Sequence, residues 1–309
     1  MEEACQHIDY IYLPQNTFLG NDEYRIINKL TDRSNFSIVY LALNKEGRRV
    51  AIKEFFPRNL VLRDLDGIRV VCKSSNLKQR LNNAKELFLS EALILKEFKN
   101  NHSICYLYEY FQENNSIYIV MDYYEGKTLE DVLREKNEPI EVFFKKYYFP
   151  LIEAVKVIHK KKYIHRDLKP NNIIIHKDRP VLIDFGSAIN YKEIAKKKIL
   201  LTPGFSPIEF YSEKTEQGPY SDIYSLAAIL YYYFTNEIPV EANERIIEDQ
   251  MVPISEYISD NGLELLGDVI SNNLSLDYRR RCQSINSFKY VLLKQYYRYL
   301  LKNNGYFNK

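Results

Sequence analysis

Tryptophan is absent from this chain of 309 residues, and glycine (10), cysteine (4) and methionine (3) are scarce. The four cysteines, Cys5, Cys72, Cys105 and Cys282, show no metal-ligand spacing and read as reduced thiols of a cytoplasmic protein. No window approaches the run of about 18 apolar residues that a membrane span requires. The opening stretch, MEEACQHIDY, is acidic and lacks an apolar core, which argues against a cleaved secretory signal. One-sided charge is missing too. Lys and Arg (43) nearly balance Asp and Glu (41), leaving a net charge of +2, so charge gives no argument for a nucleic-acid or membrane partner. Internal repeats and low-complexity tracts are also absent. What is present is length enough for one large domain or two lobes.

Residues 1–23 read as an N-terminal arm. From Tyr24 the pattern is that of strands: YRIINKL, FSIVYLALN and RRVAIKEF, with a turn at Asn44–Gly47. Asp66-Gly67 marks a further hairpin. Leu77–Asn100 has helical periodicity, with Leu87, Phe88, Ala92, Leu95 and Phe98 on one face. Two strands follow, Cys105–Gln112 and Ser116–Tyr123, joined at Asn114-Asn115. Beyond Gly126 helices dominate. Thr128 has N-cap chemistry for a short helix. Glu141–Lys162 reads as one long helix that Pro150 kinks. Ile173–Ile175 and Val181–Ile183 read as short strands around Lys177-Asp178. Ser221–Phe234 reads as an apolar helix with Ile223, Leu226, Ala227 and Leu230 on one face, and with Asp222 near its start, where a carboxylate suits the helix dipole. A β-rich first part and a helical second part predict an α+β fold of two lobes with a cleft between them.

Several strings carry chemistry: VAIK ending at Lys53, SEALILKEF containing Glu91, HRDLKPNN at 165–172 and DFG at 184–186. Alone, each has a plain reading: a buried strand, a solvated helix carboxylate, a common turn. In this order and spacing they supply a cation, paired metal-ligating oxygens and a carboxylate base, the parts that phosphoryl transfer requires. Over roughly residues 24–290 the chain resembles the eukaryotic-like Ser/Thr protein kinases. VAIKEFFPRNLVLRD, IYIVMDYYEG and QGPYSDIYSLAAILYYYFTNEIP are similar to a bacterial branch in which a Phe-Pro segment follows the lysine.

The resemblance implies a two-lobed kinase domain over 24–309, with the N-lobe about 24–121, a hinge at 122–125 and the C-lobe 126–309. It implies Lys53 on the ATP phosphates with Glu91 as ion-pair partner, Asp167 on the acceptor hydroxyl, and Lys169 on the transferred phosphate. Asn172 and Asp184 would hold Mg²⁺ or Mn²⁺. Val39, Ala51, Met121 (the gatekeeper), Asp122, Tyr123 and Ile174 would line the nucleotide. Glu209 would pair with an arginine of RRRCQSI, Arg281. The implied partner is a protein with a Ser or Thr acceptor; its identity and the oligomeric state are not legible.

The family's G-x-G-x-x-G-x-V pattern is not met. Thr31, Arg33 and Ser37 stand at the three glycine positions, so backbone amides lose their unobstructed approach to phosphates. Arg33 is the residue placed to contact a phosphate instead. Between Ala188 and Leu201 no Ser or Thr occurs, only Tyr191 and the run Lys196–Lys198, so activity is not expected to need Ser/Thr phosphorylation there. Arg166 has the form that pairs with a phosphate, and Thr202 is expected to contact the catalytic loop. His159, His165 and His176 are expected to be packing or surface residues, with His165 in the cleft core. Two rival readings remain: a pseudokinase that serves as a binding module, and a kinase-fold enzyme that transfers AMP or phosphorylates a small molecule.

Overall fold

The computed structural model describes residues 11–31, 35–99, 101–135, 138–193, 199–258 and 263–303. Two compact units divide at Tyr124/Glu125. In the first, strand alternation builds a two-faced sheet. Its strands are β1 (Phe18–Leu19), β2 (Tyr24–Thr31), β3 (Ser37–Asn44), β4 (Arg49–Phe55), β7 (Leu107–Glu113) and β8 (Ser116–Asp122), in the order β1-β2-β3-β4-β8-β7. Directly paired residues share a face. The pairs Val39↔Lys53↔Ile119 and Leu41↔Ala51↔Met121 therefore face one way, and Ile38↔Glu54↔Tyr118 and Tyr40↔Ile52↔Val120 the other.

Each face has its own cover. On the Lys53 side lies α1 (Lys78–Lys96), whose Phe88, Glu91, Ala92, Ile94 and Leu95 are buried. Leu87, expected on that apolar face, is instead 40% exposed, and Ile94 takes up the stripe. On the other side Ile38, Tyr40, Ile52 and Tyr118 join Leu13 and Leu19 of the arm, together with Val61 and Val70, in one core. The last two belong to a small hairpin of β5 (Val61–Arg63) and β6 (Val70–Cys72). The β7–β8 turn is Asn114-Asn115, with φ of 52° and 58°. Asparagine tolerates this left-handed backbone, and the turn it forms matches the strand twist.

In the second unit β9 (Lys127–Thr128) leads into α2 (Leu129–Glu135). Thr128 Oγ1 accepts from Asp131 N–H, and Asp131 Oδ2 accepts from Thr128 N–H, a reciprocal cap. The segment expected as one long helix is built in three pieces: α3 (Ile140–Val142), a π-helical turn at Phe143–Tyr148, and α4 (Phe149–Lys160). Pro150 has no N–H, so a regular ladder is interrupted there. The wider turn absorbs the fault, with Phe149 N–H donating to Phe144 O.

Short strands β10 (Tyr163–Ile164), β11 (Ile173–His176), β12 (Arg179–Leu182) and β13 (Ile189–Asn190) follow, then α5 (Pro219–Thr235), α6 (Ala242–Ile247), α7 (Glu264–Asn273) and α8 (Ile285–Asn303). In α5 Ile223, Leu226, Ala227 and Leu230 are all fully buried; burial of each leucine or isoleucine contributes roughly 1.5–3 kcal/mol. No helix among the described residues is long and apolar enough to cross a membrane.

Candidate active site

Lys53 lies mid-strand in β4, and Glu91 lies on the inward stripe of α1. The Lys53 Nζ donates to both Glu91 oxygens at 2.8 Å, with both side chains nearly closed to solvent. Val39, Ala51 and Met121 share Lys53's face of the sheet. Met121 is buried and Asp122 closes β8, its Oδ1 accepting from the Tyr108 hydroxyl at 3.1 Å. Tyr123 is half-buried. The β2–β3 hairpin closes at Thr31↔Val39, and Phe56 N–H and Arg58 N–H donate to the carbonyls of Phe36 and Asn35. Arg33 lies outside the described residues, as does the run Lys196–Lys198.

In the second unit, the segment between β10 and β11 gathers a polar cluster around Asp167. Its Oδ1 accepts from Thr202 Oγ1 at 2.7 Å. Its Oδ2 accepts from Asn172 Nδ2 at 2.8 Å and from Lys169 Nζ at 3.0 Å. Lys169 also donates to Thr202 Oγ1 at 3.0 Å. Asn172 gives a second hydrogen bond to the Asp167 carbonyl, which spends its amide donors and leaves the amide oxygen as its ligating atom. After β12 the chain turns at Asp184, whose Oδ1 accepts from Gly186 N–H. Ile183 N–H donates to Asn172 O, which ties that turn to Asn172. Ile174 sits half-buried on β11, paired with Thr128.

A buried layer supports this cluster. Asp222, at the start of α5, is fully buried. It accepts from His165 N–H (2.9 Å), Arg166 N–H (3.0 Å) and the His159 ring (2.7 Å). Burial alone would raise its pKa, but the His159 hydrogen bond and charge, His165 and the Arg166 N–H together hold it below the ordinary carboxylate value. The role expected for Asp222 was with the helix dipole; the structure adds that it anchors the backbone of the Asp167 segment. His159, expected as a packing or surface residue, is buried, and the structure adds that it is a partner of that carboxylate. His165 packs edge-on against Phe185 with ring centroids 4.8 Å apart. His176 Nδ1 lies 2.8 Å from Glu125 O. Arg166 is buried over the Phe210 ring and donates to Ser187 O. Glu209 and Arg281 form a fully buried pair at 2.7 Å, whereas Arg279 pairs with Asp277 at the surface.

Residues 58–284 match the family described as the protein kinase domain. The chain belongs to the protein kinase family. The match begins past Lys53 and includes Glu91, so the ion pair joins a residue outside the matched range to one within it. Relatives of this kinase domain include Serine/threonine-protein kinase PknA of Nostoc sp., 31% identical over 72% of this chain and 39% of that protein. Serine/threonine-protein kinase D of Synechocystis sp. is 29% identical over 88% of this chain and 52% of that protein. The chain thus spans about half or less of these relatives. A solved structure titled "PpkA-294 apo form" superimposes with a TM-score of 0.78 at 30% identity, covering 91% of this chain and 99% of that one. The fold is the two-lobed kinase fold, with a β-rich first lobe and a helical second lobe.

Proposed function

We propose that this kinase domain transfers the γ-phosphoryl group of ATP to Ser or Thr hydroxyls of a protein substrate, with Mg²⁺ or Mn²⁺. We take residues 24–309 as the domain, 1–23 as its arm and 122–125 as the hinge. The observation that carries the reading is the Asp167 cluster. A partly exposed carboxylate is held by Thr202, Asn172 and Lys169, as a base that must meet an incoming hydroxyl has to be.

Lys53, oriented by Glu91, neutralises the nucleotide phosphates. Val39, Ala51, Met121, Asp122, Tyr123 and Ile174 line the base and ribose, and Arg33 substitutes for lost backbone contacts at the phosphates. Asp167 orients the acceptor hydroxyl and takes its proton as the oxygen attacks the γ-phosphorus. The bond to the β–γ bridging oxygen breaks and ADP leaves. Lys169 neutralises the charge in transit. Among the described residues no group of three or more His, Cys, Asp or Glu side chains is set to hold a metal ion. An amide oxygen and a carboxylate, those of Asn172 and Asp184, fit a hard cation that keeps phosphate and water ligands as well. Bound there, the metal supplies charge neutralisation to the phosphates. Cys72, Cys105 and Cys282 are thiols outside any disulfide, which fits a reducing compartment such as the cytosol.

Asp167→Asn is expected to lower phosphoryl transfer from radiolabelled ATP by on the order of 10²–10⁴-fold with an unchanged melting profile. Wild-type-like transfer in that variant would defeat the reading. A wild-type chain with neither transfer nor a nucleotide-dependent thermal shift would favour the binding-module alternative, and the mass added to the product separates phosphoryl from AMP transfer. Phosphatase treatment of purified enzyme should leave activity intact; loss of activity traced to a site within 187–202 would contradict activation without phosphorylation.

A further inference from the structure

On the face of β4 opposite Lys53 lies a charged network that the proposed chemistry does not use. Glu54 is completely buried. Its oxygens receive Arg63 Nη1 at 2.6 Å and Nη2 at 2.7 Å, the Tyr40 hydroxyl at 3.0 Å and the Tyr118 hydroxyl at 3.0 Å. Arg63 spends its remaining N–H groups on the carbonyls of Ile11 (2.7 and 3.0 Å) and Ile68 (3.0 Å). The Tyr40 hydroxyl also accepts from Leu13 N–H at 3.0 Å. One carboxylate therefore ties together β3, β4, β5, β8 and the N-terminal arm.

We propose that this network is a brace for nucleotide binding, in which the arm at Ile11–Leu13, Arg63 and Glu54 fix the β2–β3 hairpin through Tyr40, making Tyr40, Glu54 and Arg63 positioning residues for the Lys53 site. Replacing a buried ion pair with apolar side chains of similar size is often neutral or stabilising, so the charges are not needed for stability alone. What they add is direction. A one-residue slip of β4 would carry Glu54 to the Lys53 face and Lys53 into the arm's core. Tyr40 lies on the strand that leaves the glycine-free loop and pairs with Ile52, next to Lys53. A loop whose amides approach phosphates poorly gains most from a hairpin held still, because the cost of ordering it at binding is then met in advance.

The inference rests on the nucleotide-binding reading of Lys53, and its test separates the two. Tyr40→Phe removes only the hydroxyl that links arm and hairpin to Glu54. It is expected to raise the KM for ATP by roughly 3–10-fold, the fold-change of one lost hydrogen bond, with kcat and the peptide KM within twofold. Tyr118→Phe removes a matching hydroxyl from the same carboxylate, one on β8 that does not take the arm's Leu13 N–H as the Tyr40 hydroxyl does, and should move the ATP KM less than twofold. Equal shifts in the two variants, or none in Tyr40→Phe, would overturn the proposal. Hydrogen exchange needs no catalysis: Tyr40→Phe and Leu13→Asp in the full chain should speed exchange in β3 and β4 while α5 keeps its protection. Unchanged exchange in β3 and β4 would overturn the brace even if the enzyme transfers phosphate. Faster exchange there in a chain that transfers none would uphold the brace and count against the kinase reading alone.

Discussion

At His165 burial lowers the imidazole pKa below its ordinary 6.5, although Asp222, Asp167 and Asp184 favour the charged form. A base whose folded pKa is depressed contributes stability that is full above its unfolded value. As pH falls below 6.5, the unfolded chain takes up a proton that the buried ring refuses, and stability falls. Urea midpoints should therefore decline as pH falls below 6.5, and His165→Phe, which keeps a ring against Phe185, should flatten that decline. Asp222 has the same sign lower down: its stabilisation is full above 3.8 and is lost as pH falls through the folded value. Asp222→Asn leaves the His159 ring facing an amide and should cost about 3–5 kcal/mol, as breaking a buried pair does, read from denaturant melts. At this scale the sequence was most legible where spacing is fixed by motif. The motifs name Lys53 with Glu91 and Glu209 with Arg281, and both pairs form. The pairing of His159 was not legible, because a histidine on an apolar helix face looks the same whether it packs or pairs, and its partner is 63 residues away.

Among elements, strands and hairpins were readable because each turn carried its own chemistry, as at Asn114-Asn115. The break before Pro150 was readable as a fault but not as a π turn. A missing N–H says where the ladder fails, while the neighbours decide how the chain absorbs it. Here Phe143 stacks on Tyr233 at 3.8 Å and Phe144 on Tyr296 at 5.0 Å, so the widened turn presents both rings to other elements. The exposure of Leu87 has a similar cause, since a helical stripe wider than its partner surface leaves an edge residue in water. Gly126 shows a constraint of close approach. A Cβ there would stand 2.1 Å from Ile175 O, where β9 meets β11. Gly126→Ala should lower stability by about 3 kcal/mol, the upper end of overpacking costs, seen as a fall in Tm; an unchanged Tm would show that β9 can separate from β11 freely.

For the whole molecule, family membership rests on residues 58–284, while the region that departs most from the family pattern, the glycine-free hairpin, lies before them. The outer core of the first unit was not legible in the sequence at all. Residues 1–23 read as an arm, and no local signal told that Ile11 and Leu13 would meet Arg63 and Tyr40. The Glu209–Arg281 pair was legible in kind, and its size is testable. Arg281→Met should destabilise by about 3–5 kcal/mol because Glu209 stays buried without its cation. Glu209→Leu combined with Arg281→Met should recover most of that loss in urea melts, and a double variant no better than the single would disprove the accounting. The same pair has a consequence for synthesis. Its partners are 72 residues apart, so at ribosomal rates of about 5–20 residues per second Glu209 waits roughly 4–14 s for its cation to be made. During that interval the segment around Glu209 has reason to stay hydrated, and the interior of the second unit can close only after Arg281 has left the ribosome.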